Sequence, residues 1–199
     1  MGLRVTGGRL GGRRLRSPRS GTRPSADRVR ESLFARLGDL AGLAVLDLFA
    51  GTGALGIEAL SRGAASLVSV ECSRRALAVL RGNLAALELD ASTRVMASDA
   101  AAAVRRLGRE GARFDLVLMD PPYASGATQG TLEALVEAGI LAAGAVVVLE
   151  RARSHPLPAA AGLSPLDERR YGDTVISRFT VAVPEAERSR TKAGGPISA

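Results

Sequence analysis

From residue 43 onward the chain alternates short apolar runs with longer stretches whose apolar residues recur every three or four positions. The runs Ala44–Phe49, Ser66–Glu71, Thr93–Met96, Phe114–Asp120 and Ala145–Glu150 predict buried strands. Helices are predicted between them, over Ala54–Arg62, Ser73–Leu87, Ala100–Leu107 and Thr131–Ala138. Strands alternating with helices specify an α/β fold with a parallel, doubly wound sheet. The pattern then changes: Pro165–Tyr171 and Thr174–Val183 flank Gly172-Asp173, the signal of an antiparallel hairpin at a sheet edge. Upstream, Val29, Leu33, Phe34 and Leu37 lie at helical spacing, predicting a helix over Ser25–Leu37 introduced by Pro24. Residues 3–16, LRVTGGRLGGRRLR, hold two short β-prone pieces broken by glycines, a β-hairpin or mobile arm. Three parts are expected: an N-terminal arm over 1–24, one domain over 25–183, and a disordered tail over 184–199, where apolar periodicity is lost.

Composition narrows the classes. No stretch of about 18 apolar residues is present, and the first residues alternate glycine with arginine where a signal peptide carries an apolar core, so a soluble, cytoplasmic protein with no membrane association is expected. The single cysteine, Cys72, forbids an intramolecular disulfide, and with one histidine, His155, no thiolate or imidazole zinc cluster can form; no metal is expected. The net charge of +7 is unevenly spread: residues 1–36 hold ten arginines against two acids, while the remainder is close to neutral. Arginine in place of lysine is a matter of genome composition, but the clustering is not. A cationic arm on a neutral domain suits a polyanionic partner, whose bound counterions it would release. Arg4, Arg9, Arg13, Arg14 and Arg16 on the arm, with Arg28 and Arg30 on the first helix, are the candidate contacts to such a partner.

Candidate chemistry begins after the first strand, where Gly51-Thr52-Gly53-Ala54-Leu55-Gly56 has the spacing G-x-G-x-x-G. That spacing fits a dinucleotide site or any tight strand-to-helix turn. Glu71, at the end of the second strand, is placed to accept hydrogen bonds from ribose hydroxyls, which favours a nucleoside. Asp47 separates the alternatives. A carboxylate within the first strand repels a pyrophosphate at the helix N-terminus but attracts the ammonium and sulfonium groups of S-adenosyl-L-methionine. Asp99 follows the third strand, where a carboxylate can accept from an adenine amino group. Taken singly, each acid could equally be a helix cap or a solvated strand end; together with the loop they outline a nucleoside pocket.

The fourth strand ends in Asp120-Pro121-Pro122-Tyr123. In a doubly wound sheet ligands bind beyond the carboxyl ends of the strands, so Asp120 faces the same crevice as the glycine loop. An exocyclic amine is a poor nucleophile because its lone pair is delocalised into the ring. Hydrogen bonds to the Asp120 carboxylate and the Pro121 carbonyl would draw it towards tetrahedral geometry, with the prolines bracing both acceptors. Tyr123 would stack on the base. Asp-Pro-Pro can also simply terminate a strand, with Tyr123 packed over its edge. Methylation of a pyrimidine carbon calls for a cysteine nucleophile, and Cys72 lies beside Glu71, far in sequence from Asp120. Transfer to nitrogen by direct displacement remains, with Cys72 read as a small, half-buried residue.

These residues resemble a known family. VLDLFAGTGALGIEALSRGA, the acid in VSVE, DPPY and the N-terminal TRPSADRVRESLF together resemble the bacterial methyltransferases that modify N2 of a guanine in small-subunit ribosomal RNA, over most of residues 3–183. The glycine loop and DPPY mark amino-methyltransferases in general; TRPSADRVRE after the glycine-rich segment narrows the match. The resemblance implies a seven-stranded, Rossmann-like methyltransferase sheet, S-adenosyl-L-methionine as donor, and rRNA or a ribosomal assembly intermediate as partner of a monomer. It places Asp47 and Gly51-Thr52-Gly53 at the methionine end, Glu71 at the ribose and Asp99 at the adenine, with Phe49, Ala50, Cys72 and Ala100 also contacting the cofactor and Thr22, Arg23 and Pro24 near it. Asp120, Pro121, Pro122 and Tyr123 would hold the guanine. Three rival readings are an NAD-dependent oxidoreductase, a non-catalytic RNA-binding factor that keeps the pocket, and the same chemistry on DNA adenine or protein glutamine.

Overall fold

The computed structural model describes residues 2–17, 24–122 and 126–181, with side chains from residue 27 onward in the second of these segments. Seven strands form one sheet in the order β3-β2-β1-β4-β5-β7-β6. Five are parallel: β1 (Ala44–Leu48), β2 (Ser66–Glu71), β3 (Thr93–Ala97), β4 (Phe114–Met119) and β5 (Leu141–Ala152). β6 (Leu163–Tyr171) and β7 (Thr174–Val181) form the expected hairpin, with β7 antiparallel to β5. The chain moves outward from β1 to β2 and β3, then returns to the other side of β1 for β4. That reversal puts the crevice of the sheet between the carboxyl ends of β1 and β4.

The helices follow the predicted order: α1 (Pro24–Leu37), α2 (Ala54–Ser61), α3 (Arg74–Ala86), α4 (Ala100–Arg109) and α5 (Ala127–Glu137). Each central strand is apolar on both faces because both are covered. Val45, Leu67, Leu116 and Val148 pack with Leu33 and Phe34 of α1, Ile57 of α2, and Leu80 and Leu84 of α3. Leu46, Leu48, Val117 and Leu149 pack with Val104 and Leu107 of α4 and Leu132 and Leu135 of α5. β5 begins earlier than predicted because Leu141 pairs with Phe114 of β4 ahead of a register shift, in a stretch where Gly144 has φ +76°. Exposed Ala143 and Gly144 carry little strand signal.

The N-terminal segment is a docked element of the core. Arg4 and Arg14 form an antiparallel bridge, and Val5 N–H bonds to the Arg13 carbonyl at 2.9 Å, so the hairpin expectation holds in outline. Leu3, Val5, Leu10 and Leu15 are buried among the side chains of α1, α2 and α3, which anchors the segment. A polar clasp completes the docking. Glu58, fully buried on α2, accepts from Thr6 N (2.7 Å) and Thr6 Oγ1 (2.8 Å) and pairs with Arg62 at 2.8 Å and Arg30 at 3.5 Å. Arg30 also donates to the Arg4 carbonyl and to Asp27 at 3.0 Å. Nearby, the buried amide of Asn83 in α3 accepts from Arg16 N (2.8 Å) and donates to the Arg16 carbonyl (3.1 Å) and the Thr52 carbonyl (2.9 Å). One side chain therefore joins the N-terminal segment to the glycine loop.

Removing one member of a buried ion-pair cluster strands the other charges and costs about 3–5 kcal/mol. Glu58→Gln should lower the midpoint of thermal unfolding by roughly 6–20 °C for a chain of this size. It should also expose the arginines at 13, 14 and 16 to trypsin while residues 44–181 stay resistant. An unchanged midpoint with an uncut N-terminal segment would show that the apolar contacts alone hold it.

Candidate active site

Leu48 pairs with Met119, so β1 and β4 end level with each other at the crevice. Beyond Leu48 the chain turns through Phe49 at φ +62° and Gly53 at φ +83°. A left-handed phenylalanine is strained by roughly 1–3 kcal/mol, a conformation found mainly at functional turns. The turn is held by Ala50 N–H on the Val70 carbonyl (2.9 Å) and Gly53 N–H on the Ala50 carbonyl (2.7 Å). A Cβ on Gly53 would stand 2.4 Å from Leu80 Cδ1, so the loop lies directly on α3.

Three carboxyls converge on this loop. Asp47 is 1% exposed; its Oδ2 accepts from Gly56 N at 3.0 Å, and its Oδ1 is buried with no hydrogen-bond partner among the described residues. A Cβ on Gly56 would come within 2.7 Å of Leu67 Cδ2 and 2.9 Å of that Oδ2, so the third glycine of the spacing lets α2 lie against both β2 and the acid. Desolvation pushes the Asp47 carboxyl up to about 7; the Gly56 N–H opposes this, and the nearby Asp120 and Glu71 carboxyls add to it. Asp120, one residue beyond β4, is reachable from solvent at the mouth of the crevice, yet desolvation by the walls around its carboxyl raises it to about 6. Glu71 accepts from Gly51 N (2.8 Å) and Ser73 N (2.7 Å), which fixes its carboxylate at the rim with lone pairs to spare. Asp99 sits exposed at the start of α4 and caps it by accepting from Ala102 N at 3.1 Å. It therefore plays the capping role open to it from sequence.

Beyond Asp120, Pro121 is buried and Pro122 exposed. Both line a cavity of about 310 Å³, walled also by Gln129 of α5, Leu149 to Ala152 at the end of β5, and the loop carrying His155, Pro156 and Pro158. Gln129 Nε2 donates to Glu133 Oε1 (2.7 Å) and to the Ala159 carbonyl (2.6 Å), tying that loop to α5. The walls are mainly apolar, with carboxyl and guanidinium groups at the edges, a composition suited to a planar heterocycle.

The structure brings together Asp47, Phe49, Ala50, Gly51, Thr52, Gly53, Glu71, Asp99, Ala100, Asp120, Pro121 and Pro122 along one edge of the sheet. Tyr123, Thr22 and Arg23 lie outside the described residues, and of Pro24 only the backbone, opening α1, is described. Cys72 is exposed rather than half-buried, because it leaves β2 outward ahead of the α3 cap. Arg4, Arg9, Arg13, Arg14, Arg16 and Arg28 are exposed. Arg30 is a correction: it is 6% exposed, turned towards Asp27, Glu58 and the Arg4 carbonyl, and is not available to a phosphate. Asn83 and the β5 side of the cavity escape a reading based on motifs. The predicted strand ending at Glu150 is the one signal for the β5 side, since its carboxyl end must share the crevice edge; nothing local marks Asn83. Among the described residues no cluster of three His, Cys, Asp or Glu side chains is placed to hold a metal ion.

The arrangement disfavours a dinucleotide: an N–H of the first turn of α2, where a pyrophosphate would sit, is already given to a buried acid. Comparisons with known proteins agree. A family model described as "Conserved hypothetical protein 95" matches residues 3–180. The chain is 39% identical over 158 residues to ribosomal RNA small subunit methyltransferase D of Escherichia coli K12, covering 78% of each chain. It is 30% identical over 172 residues to the protein of the same name from Haemophilus influenzae, covering 85% of this chain and 89% of that one. A solved E. coli protein described as a candidate methyltransferase superposes with a TM-score of 0.80 at 33% identity, over 91% of this chain and 98% of that one. In sequence and in fold, the chain belongs to the small-subunit ribosomal RNA methyltransferase D family.

Proposed function

We propose that the protein transfers a methyl group from S-adenosyl-L-methionine to the exocyclic N2 amine of a guanine in small-subunit ribosomal RNA, by direct displacement. The observation that carries this reading is the pair of desolvated carboxyls, Asp47 in β1 and Asp120 just beyond β4, on either side of the crevice. A buried acid with an unpartnered oxygen fits a cationic ligand, and a second acid across from it fits a neutral amine that must shed a proton. The donor supplies an electrophilic methyl on a positively charged sulfur that leaves as a neutral thioether.

The chain's own residues do the rest. Asp47 compensates positive charge at the methionine end, the left-handed loop over 49–53 leaves room for it, and Glu71 accepts from the ribose. Asp120 and the Pro121 carbonyl accept the two N–H bonds of the guanine amine, which directs its lone pair at the methyl carbon. As the C–N bond forms and the C–S bond breaks, the nitrogen becomes cationic and its proton passes to Asp120, whose raised pKa suits it to that step. The proline-walled cavity receives the base, with Tyr123 proposed to stack on it.

Transfer of labelled methyl to small ribosomal subunits lacking the modification, followed by nucleoside analysis, should place label on N2-methylguanosine; label on N6-methyladenosine would overturn the substrate. Asp120→Ala should lower kcat by at least roughly 10²–10³-fold while leaving S-adenosylhomocysteine affinity within about twofold. The profile of kcat/KM should lose activity as pH falls through about 6 to 7, the range of the Asp47 and Asp120 pair, and the limb should shift in Asp47→Asn.

Asp47 also makes folding pH-dependent. Its folded pKa lies above the unfolded value, so between about 4 and 7 the folded state holds a proton that the unfolded state lacks, and stability is lost as pH rises through that window. Asp47→Asn should therefore melt higher than the parent at pH 8, by at least roughly 2–4 °C, while binding the cofactor more weakly. A lower melting point at pH 8 would contradict the proposed burial cost.

A further inference from the structure

The outward face of α3 carries Arg74 and Arg81, seven residues apart and so on one side of the helix, with Arg75 flanking them. All three are exposed, and the only side chains between Arg74 and Arg81 on that face are small, Ala78 among them. α3 contains no acidic residue, and among the described residues none of the three arginines has a carboxylate within 4.0 Å. Several cations elsewhere are neutralised: Arg94 and Arg106 share Glu110, Arg36 and Arg178 share Asp167, and Arg151 pairs with Glu168. Arg74 and Arg75 moreover occupy the first turn of α3, where the helix dipole disfavours positive charge. Folding gains nothing from cations there.

The N-terminal segment lies against the same helix. Arg13 Nη2 reaches the Ala86 carbonyl at 3.5 Å, and a Cβ on Gly82 would stand 3.5 Å from Arg16 Nη1. Arg13 thus sits at the carboxyl end of α3 and Arg16 about a turn further back; Arg81 is next to it, and Arg74 and Arg75 lie at the amino end, immediately after Glu71 and Ser73. The helix axis between Ala86 and Arg74 is about 18 Å long. Unpaired guanidinium groups therefore run along α3 from the docked segment to the rim of the crevice.

We propose that Arg74, Arg75 and Arg81 form a phosphate track that continues the arginine surface of the N-terminal segment to the active site and holds the RNA backbone approaching the target guanine. This rests on the RNA reading above. A track of this kind recognises charge and spacing rather than bases, so its signature is the salt dependence of binding, which changes by about 0.7–0.9 in log–log slope for each phosphate that is no longer neutralised.

The test is equilibrium binding of the full chain to small-subunit ribosomal RNA across a salt series. The triple variant Arg74→Gln, Arg75→Gln, Arg81→Gln should reduce the salt slope by about 2–3 and weaken binding at low salt at least tenfold, with S-adenosylhomocysteine affinity within about twofold of the parent. Arg105→Gln with Arg109→Gln, exposed on α4 across the sheet, should leave the slope unchanged. An unchanged slope in the α3 variant, alongside a reduced slope in Arg13→Gln with Arg14→Gln, would overturn the track alone. Unchanged slopes in both would overturn RNA binding by this face altogether, and an equal loss from the α4 variant would reduce the effect to net charge.

Discussion

The crevice is organised around one buried carboxyl. Asp47 stands inside the central strand with one oxygen bonded to the Gly56 N–H and the other without a partner among the described residues. Burying an acid in this way is unfavourable, and the fold meets part of the cost by keeping the group protonated near neutrality. The constraint spreads outward. Gly56 must lack a Cβ so that α2 can approach the acid, Gly53 must lack one so that the loop can lie on α3, and Phe49 accepts a left-handed backbone to begin the turn. In the proposed reaction a cation offsets the cost of ionising this acid, while Asp120, just beyond the neighbouring strand, serves the amine.

Around that centre the N-terminal segment is tied to the glycine loop through α3. Its apolar residues enter the same core cluster as α1, α2 and α3, and Asn83 bonds both to Arg16 and to Thr52. A force on the arginine surface is therefore one side chain away from the glycine loop. The proposed path of the RNA, along α3 to the crevice, runs over this linkage rather than around it.

Most of the fold was legible because its signals are local. Strand and helix alternation, Gly172-Asp173 and the Ser25–Leu37 periodicity each depend on residues adjacent in sequence, and the seven-stranded, doubly wound sheet follows. The carboxyl-edge acids were legible because a parallel sheet sends every strand end to the same side. What could not be read depends on packing between distant segments. Arg30 has the same sequence context as Arg28, yet one turns inward to Glu58, 28 residues away, and the other faces solvent. Likewise, Leu3, Val5, Leu10 and Leu15 are too sparse to announce a core among so many glycines and arginines, and only docking against α2 and α3 gives them one. Asn83 looks like an ordinary helix residue until the Arg16 and Thr52 carbonyls reach it.

The central claim, that a neutral Asp47 ionises to receive a cationic donor, is tested most directly by proton release. Titration calorimetry of S-adenosyl-L-methionine into the protein at pH 6.5, in buffers of differing ionisation enthalpy, counts the protons exchanged on binding. With Asp47 near 7 in the free protein, the account predicts release of about three-quarters of a proton per cofactor, largely lost in Asp47→Asn. Binding with no proton released, or with equal release from Asp47→Asn, would contradict it.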